Sequence, residues 1–165
     1  MARLGFVVSQ IRQIEDARQK RLEQHEAGSH AMVRLLARIV GIGVETADML
    51  VHEVLSRPMR DRRAVARYAG LTGSPDESGV QRREQGLARA GNARVRRGMI
   101  QLAWRFLMFQ KESALTLWYR ARTADRRSGT RKTMIVALAR KLIIALWRFV
   151  TTGEPLEGVV LRPAS

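Results

Sequence analysis

The segment from Thr130 to Val150 reads TRKTMIVALARKLIIALWRFV and is the longest stretch of this 165-residue sequence with a helical pattern of apolar side chains. Its apolar residues recur every three or four positions, the spacing that brings side chains to one face of an α-helix. The members of that face are Met134, Leu138, Leu142, Ala145 and Phe149. Apolar residues also flank this face, so the segment predicts a core helix on which the rest of the fold packs.

Two shorter helices are predicted immediately upstream of the core helix. Asn92 is a suitable N-cap for the first, and the second is predicted from Ser113 to Ala124. The apolar face of the first consists of Val95, Met99, Leu102, Ala103 and Phe106. The tryptophans at 104, 118 and 147 lie in or beside apolar stripes, which favours core anchors over platforms for stacked bases.

Further upstream, the turn Gly41-Ile42-Gly43 separates two stretches with helical spacing. A helix, a Gly-x-Gly turn and a second helix are typical of a helix-hairpin-helix motif, in which free backbone amides at the start of the second helix hold a phosphate. Gly41, Gly43 and Thr46 are the candidate phosphate-binding residues, whereas Glu45 would oppose an anion at the same place. A plain glycine turn between two packed helices is the alternative.

The N-terminal segment has a narrow apolar seam on an otherwise charged helix. Leu4, Val7, Ile11 and Ile14 are spaced by three or four residues, as in a coiled coil, and a solvated helix packed on its own domain is the alternative. A Gly-Ser pair predicts a break, with Ser29 as the N-cap of the next helix. The fold class is predicted to be all-α. The expected parts are a coiled-coil-like helix at 1–28, a helical domain at 29–153 and a tail at 154–165.

The composition predicts a polyanionic partner. The 30 Lys+Arg against 15 Asp+Glu give a net charge of +15 and a pI near 11.7, and such charge attracts nucleic acid. A membrane-surface helix is a poorer fit because the basic residues are spread over several segments, and no apolar run approaches the roughly 20 residues of a membrane span. The lack of cysteine and of a secretory signal favours the cytoplasm. The three histidines lack metal-ligand spacing, so no metal site is predicted.

A glycine-rich loop followed by an arginine cluster lies between Tyr68 and Arg97. Glycines allow a backbone to approach a ligand closely, and arginines bind phosphate oxygens. The nucleic-acid-binding residues predicted here are Arg82, Arg83, Arg89, Asn92, Arg94, Arg96 and Arg97. A second basic patch at the start of the core helix adds Arg131 and Lys132.

Four sequence blocks together resemble one known family. They are IVGIGVETADMLVHEV (39–54), VARYAGLTGSPDESG (65–79), GLARAGNARVRRGMIQLAW (86–104) and GTRKTMIVALARKLIIALWRF (129–149). In this order they resemble the C-terminal transposase domain of the insertion sequence one-ten family, whose members are bacterial transposases described as RNA-guided, or bridge-RNA, recombinases. Val40 departs from the family pattern, which usually has proline there.

The resemblance implies a chemistry that the residues alone do not select. In that family a serine of the glycine-rich loop attacks a DNA phosphodiester, together with four acidic residues of an N-terminal RuvC-like domain that bind Mg²⁺. Carried over to this sequence, the serine is Ser78, although Ser74 and Ser128 are rivals by chemistry alone. The acidic residues here offer no such quartet, so we expect the RuvC-like domain to be absent and this chain to hold no cofactor.

Two functions stay open at this point. In the first, the chain is the DNA-binding part of an insertion-sequence transposase, inactive alone and completed by a RuvC-like partner. In the second, it is a non-catalytic helical nucleic-acid-binding module in which Ser78 is incidental. DNA is the expected partner, and structured bridge RNA and self-association through the N-terminal helix are further expectations. The resemblance implies a bacterial cytoplasm, in association with the nucleoid.

Overall fold

The fold is built from helices. The computed structural model describes residues 2–72, 91–125 and 127–163, and these form six helices and no strand. A single π-helical turn, Val51–Leu55, continues the second helix. The predicted all-α class is therefore confirmed. In chain order the helices are α1 (Ala2–Ala37), α2 (Val44–Leu50), α3 (Arg62–Tyr68), α4 (Ala93–Phe109), α5 (Ala114–Arg122) and α6 (Ser128–Thr152).

Helix α6 is the centre of the hydrophobic core, as its periodicity predicted. It packs against α3, α4, α5 and the C-terminal part of α1. Its fully buried side chains include Leu138, Leu142 and Leu146, and burying a leucine stabilises a fold by about 1.5–3 kcal/mol. Gly153, at φ +76°, ends the helix in the left-handed conformation that glycine favours.

Helix α1 is long, and only its C-terminal end belongs to the core. It has 36 residues, which corresponds to a length of about 54 Å. Leu36 is fully buried, and Met32, Val33 and Leu35 pack against the core, whereas residues 3–28 are exposed. No described residue covers that stretch, so the described residues do not support the alternative in which it packs on its own domain. The coiled coil itself stays a prediction.

The Gly-Ser pair of α1 does not end a helix. Ser29 lies within α1 and is buried, so its predicted role as an N-cap is wrong. Glycine inside a helix costs only about 1 kcal/mol relative to alanine, and neighbours with good helix propensity such as Ala27 carry the helix through. A Cβ at Gly28 would meet no atom within 4 Å, so nothing in the fold requires glycine there. No helix boundary falls between residues 28 and 29.

The C-terminal residues 154–163 return to the core and are held by Gln110. This side chain is 1% exposed. Its Nε2 donates to the carbonyl oxygens of Val40 at 2.7 Å and Val160 at 3.0 Å. Its Oε1 accepts from the Val160 N–H at 2.8 Å. The Val40 N–H also donates to the Val160 carbonyl at 3.2 Å. Proline has no N–H and could not form that bond, so the backbone N–H at position 40 has a role that the proline of the family pattern could not fill.

Segment 73–90 lies outside the described residues, and the described chain that resumes at Gly91 contacts the C-terminal end of α3. The Asn92 N–H donates to the Tyr68 carbonyl oxygen at 2.7 Å. Gly91 has φ +80°, and a Cβ there would lie 2.5 Å from the Tyr68 oxygen and 2.6 Å from the Arg67 oxygen. Both the backbone conformation and the lack of space therefore require glycine at position 91.

Candidate nucleic-acid interface

The first turn of α4 brings Asn92 together with Glu53. Asn92 caps the helix as predicted, because its Oδ1 accepts from the N–H groups of Arg94 at 3.0 Å and Val95 at 3.3 Å. Its Nδ2 donates to Glu53 Oε2 at 3.0 Å, and Glu53 Oε1 lies 3.4 Å from Arg94 Nη1. Asn92 therefore has a structural role. No sequence pattern indicated Glu53, which reaches this turn from the π-helical turn after α2.

Helix α4 has an apolar back and a basic front, as its sequence predicted. The back is buried in the core, while Arg94 and Arg97 are exposed and Arg96 is half-buried. The Arg94 side chain is 73% exposed in spite of its ion pair with Glu53. A surface ion pair of this kind contributes at most about 1 kcal/mol, so the pair does not prevent Arg94 from turning to a phosphate.

The turn between α1 and α2 joins two helices, as the Gly-x-Gly pattern predicted. Gly41 has φ +104°, and a Cβ there would lie 3.2 Å from Phe109 Cβ. Gly43 is the N-cap of α2 and offers no side chain to the free amides. Thr46 Oγ1 accepts from Arg105 Nη2 at 3.0 Å, and Arg105 Nε is buried without a partner among the described residues. A guanidinium thus lies close to the predicted phosphate position, and the phosphate itself stays a prediction.

A basic cleft between α3 and α6, here called the α3–α6 cleft, was missed by the sequence analysis. It has a volume of about 500 Å³. The side chains of its four arginines form no hydrogen bond or ion pair within the described ranges. Unpaired cations around a concave surface attract polyanions. The described lining contains no acidic residue, and its cationic members are Arg62, Arg63, Arg140, Lys141 and Arg148.

The cations of the α3–α6 cleft come from the edges of two helices. In α6, Arg140, Ile144 and Arg148 recur at four-residue intervals beside the buried face, which places them on one side of the helix. The two arginines of α3 stand in its first turn, after Asp61, whose Oδ1 caps the helix by accepting from the Ala64 N–H at 2.9 Å. The four-residue spacing of the arginines in α6 could be read from the sequence. The packing of α6 against α3 could not be read from it.

The three tryptophans occupy different environments. Trp118 and Trp147 pack against the core as predicted. Lys141 Nζ lies 4.7 Å, and Arg122 Cζ 5.6 Å, from the centre of a Trp118 ring. Trp104 is 46% exposed, so its predicted role as a core anchor is wrong. It stands one position beyond the buried stripe of α4, and each residue turns a helix by about 100°.

Trp104 lines a second cavity, here called the tryptophan cavity, at the junction of α4, α5 and α6. Its volume is about 580 Å³. Burial raises the pKa of the Tyr119 phenol above its ordinary value, and the charge of Arg131 partly opposes that rise. Of the predicted second basic patch, Arg131 belongs to this cavity, and Lys132 is exposed beside it in sequence. The lining residues include Trp104, Tyr119, Arg120, Thr123 and Arg131.

Comparison with known proteins gives the family. A family model described as the transposase IS116/IS110/IS902 family matches residues 33–119, more than half of the 165 residues. The chain belongs to this transposase family. It is also 41% identical over 169 aligned positions to a Sinorhizobium fredii protein named "Putative transposase y4rJ", an alignment that covers 97% of this chain. The chain spans 42% of that relative's length. No solved structure matches it.

Several predicted site residues of this transposase-family chain lie outside the described residues. Ser128, a chemical rival of the predicted nucleophile, is exposed in the first turn of α6. Thr72, the last described residue before segment 73–90, lines the α3–α6 cleft. The chain therefore enters that segment directly from the cleft. The predicted residues outside the described ranges are Ser78, Arg82, Arg83 and Arg89, together with the rival Ser74.

The family resemblance implies Mg²⁺ for a RuvC-like domain, and the described residues of this chain offer no set of ligands for that ion. The described residues contain no group of three or more His, Asp or Glu side chains that could hold a metal ion.

Among the described residues, no helix has the length and apolar character needed to cross a membrane.

Proposed function

We propose that this chain is the DNA-binding part of an insertion-sequence transposase. The observation that carries the proposal is the α3–α6 cleft, with five cationic side chains and no acidic residue in its described lining. Family membership supports DNA as the polymer, because transposition acts on DNA. The net charge of +15 favours the same partner through long-range attraction.

The geometry of α6 suits a sugar-phosphate backbone. Arg140 and Arg148 are separated by about 12 Å along the helix axis, and the phosphates of one DNA strand follow each other at about 3.4 Å of axial rise. The two arginines can therefore contact phosphates several nucleotides apart. Neither guanidinium has a carboxylate partner in the described ranges, so binding DNA breaks no ion pair there.

The basic front of α4 provides a second phosphate-binding surface. Arg94 and Arg97 are exposed there, and Arg94 would exchange its surface ion pair with Glu53 for a phosphate. The further DNA contacts proposed for this chain are the predicted residues Arg82, Arg83, Arg89, Arg96, Lys132 and the hairpin residues Gly41, Gly43 and Thr46.

The proposed nucleophile for strand transfer is the hydroxyl of Ser78, which the family resemblance selects. Thr72 supports this role, because it lines the cleft and leads into the segment that carries Ser78. Strand transfer would also need the carboxylates of a RuvC-like domain, a group that the described residues lack. We expect Ser78→Ala to bind DNA normally and to abolish strand transfer in a mixture with a RuvC-like domain from a family member. A mixture of two folded proteins that never reacts would favour the non-catalytic binding module.

The DNA-binding role is tested by removing charge from the α3–α6 cleft while part of each side chain is kept. The double variant Arg140→Gln/Arg148→Gln keeps most of both aliphatic stems and removes two charges. Each phosphate contact contributes about 0.9 to the slope of log K against log salt concentration, so the slope should fall by about 1.8. Duplex affinity at low salt should fall at least about tenfold. Fluorescence anisotropy with duplex DNA, branched DNA and structured RNA over a range of salt concentrations gives both quantities.

The matched control removes the same charge elsewhere. Arg12 and Arg21 are exposed on the part of α1 that contacts no described residue, so Arg12→Gln/Arg21→Gln changes the net charge equally and leaves the cleft intact. If both double variants lose the same affinity, binding follows net charge alone and the cleft is not the site. Far-ultraviolet circular dichroism and thermal melting verify that each variant is folded.

A further inference from the structure

The tryptophan cavity combines an exposed indole with cationic side chains, and phosphate binding alone does not account for the indole. Trp104 leaves 46% of its surface in water, although Ala103 and Phe106 near it in α4 are buried. Its ring meets that of Tyr119 edge to face, with centroids 6.3 Å apart and an interplanar angle of 77°. Such a contact uses the edge of one ring and one face of the other at most, so it restrains the indole and leaves at least one indole face unused. An exposed indole face offers a flat apolar surface to a ligand.

Cationic and polar groups surround that indole. Arg120 and Arg131 line the cavity, and their side chains form no hydrogen bond or ion pair within the described ranges. The Tyr119 hydroxyl likewise has no hydrogen-bond partner in the part of the chain that the structure describes. A nearby carboxylate, Asp125, is already occupied, since it accepts from the Arg127 N–H and the Thr130 hydroxyl, each at 3.2 Å.

We propose that the tryptophan cavity binds an unpaired nucleotide, with its base stacked on Trp104 and its phosphates held by Arg120 and Arg131. The inference rests on the proposed function and adds the form of nucleic acid that this surface selects. Aromatic side chains stack on the faces of unpaired bases, and arginines beside them bind the backbone. In a duplex those base faces are covered by neighbouring base pairs. The volume of about 580 Å³ lies within the range of roughly 300–1,000 Å³ of ligand-binding cavities.

The chemistry of the ligand follows from the groups that are free. The indole can stack on a planar aromatic group, and the two guanidinium groups bind anions. The Tyr119 hydroxyl can donate a hydrogen bond to a base or phosphate oxygen. A nucleotide supplies all three. DNA and RNA share this chemistry, and either can present an unpaired nucleotide. The experiment therefore includes both polymers.

The test compares single-stranded and duplex binding of the full chain. Fluorescence anisotropy is measured with three labelled oligonucleotides of equal length: single-stranded DNA, single-stranded RNA and fully paired duplex DNA. Stacking of one base is worth a factor of about 5–150 in affinity, so Trp104→Ala should lose that factor for a single strand. Duplex affinity should change less than about twofold. Trp104→Phe keeps an aromatic ring and should recover most of the lost affinity.

Two further variants separate this site from the rest of the protein. Met108→Ala, on the same helix, removes a side chain that is 64% exposed and does not line the cavity, and it should alter neither affinity. Arg140→Gln/Arg148→Gln should weaken single-stranded and duplex binding alike. A loss for one single-stranded polymer only would still support the site and identify its ligand as DNA or RNA.

The outcomes distinguish the inference from the proposed function. Unchanged single-stranded affinity in Trp104→Ala, or an equal loss for single strand and duplex, would overturn the unpaired-nucleotide site and leave the DNA-binding role standing. A wild-type chain that binds none of the three oligonucleotides would remove both. Trp104→Phe behaving like Trp104→Ala while folded would show that stacking is not the interaction.

Discussion

Replacing Gly91 with alanine tests the contact between Gly91 and the C-terminal end of α3. Gly91 has φ +80°, and the new Cβ would lie 2.5 Å from the Tyr68 carbonyl oxygen and 2.6 Å from that of Arg67. Both oxygens already accept hydrogen bonds, from the N–H groups of Asn92 at 2.7 Å and Gly70 at 3.0 Å. The backbone cannot withdraw from the new methyl group without weakening these bonds.

The expected cost has two parts. The left-handed conformation costs a residue with a Cβ about 1–2 kcal/mol. Forcing a methyl group into packed backbone costs a further 1–3 kcal/mol, roughly the price of overpacking a core. Gly91→Ala should therefore lose about 2–5 kcal/mol of the free energy of unfolding. That loss is a large fraction of the roughly 5–15 kcal/mol that stabilises a typical domain.

Gly153→Ala is the matched control. Gly153 has almost the same conformation, φ +76°, but a Cβ there would meet no atom within 4 Å. The control should lose only the conformational part, about 1–2 kcal/mol. Urea unfolding followed by far-ultraviolet circular dichroism measures both variants. Equal losses would refute the reasoning, because the backbone contact at Gly91 would then have no energetic effect.

Two other substitutions give clear outcomes. Gln110→Glu replaces the amide that donates to the Val40 and Val160 carbonyl oxygens with a carboxylate, at a side chain 1% exposed. Thermal unfolding should show that the free energy of unfolding falls by at least about 3 kcal/mol. A fall no larger than that of Gln101→Glu, on the exposed side of α4, would contradict this expectation. Ile11→Asp places a charge in the exposed apolar seam of α1 and should abolish concentration-dependent association in sedimentation velocity. A wild-type chain that stays monomeric at every concentration would disprove that association.

The parts of the fold that the sequence predicted are those governed by local spacing. Helix α6 could be predicted because its apolar residues repeat over about four turns. The cap at Asn92 could be predicted because a side-chain cap acts on backbone groups two and three residues away. The break predicted at Ser29 failed for a local reason. A single glycine is too weak a signal to end a helix when strong helix formers such as Glu26, Ala27 and Ala31 lie around it.

The parts of the site that the sequence did not predict depend on contacts between distant residues. The α3–α6 cleft requires the packing of two helices far apart in the chain, and the periodicity of α6 contains no information about α3. Trp104 was wrongly predicted to be a core anchor because it adjoins the buried stripe of α4. A shift of one position along a helix can separate a buried side chain from an exposed one. Glu53 reaches Asn92 in the same way, through tertiary packing alone.

The junction of Gly70 and Gly91 has an evolutionary consequence. The hydrogen bond from the Asn92 N–H to the Tyr68 carbonyl oxygen fixes the distance between the points at which the described chain stops before segment 73–90 and resumes after it. Each doubling of the number of residues between two fixed points costs only about 0.6 kcal/mol in closure entropy. Relatives can therefore differ in length between Thr72 and Gly91 at little cost to the described helices, whereas the proposed roles of Ser78, Arg82, Arg83 and Arg89 oppose replacement of those residues. A chimaera exchanged at these two points should keep the described helices, and its nucleic-acid binding would report what the exchanged residues contribute.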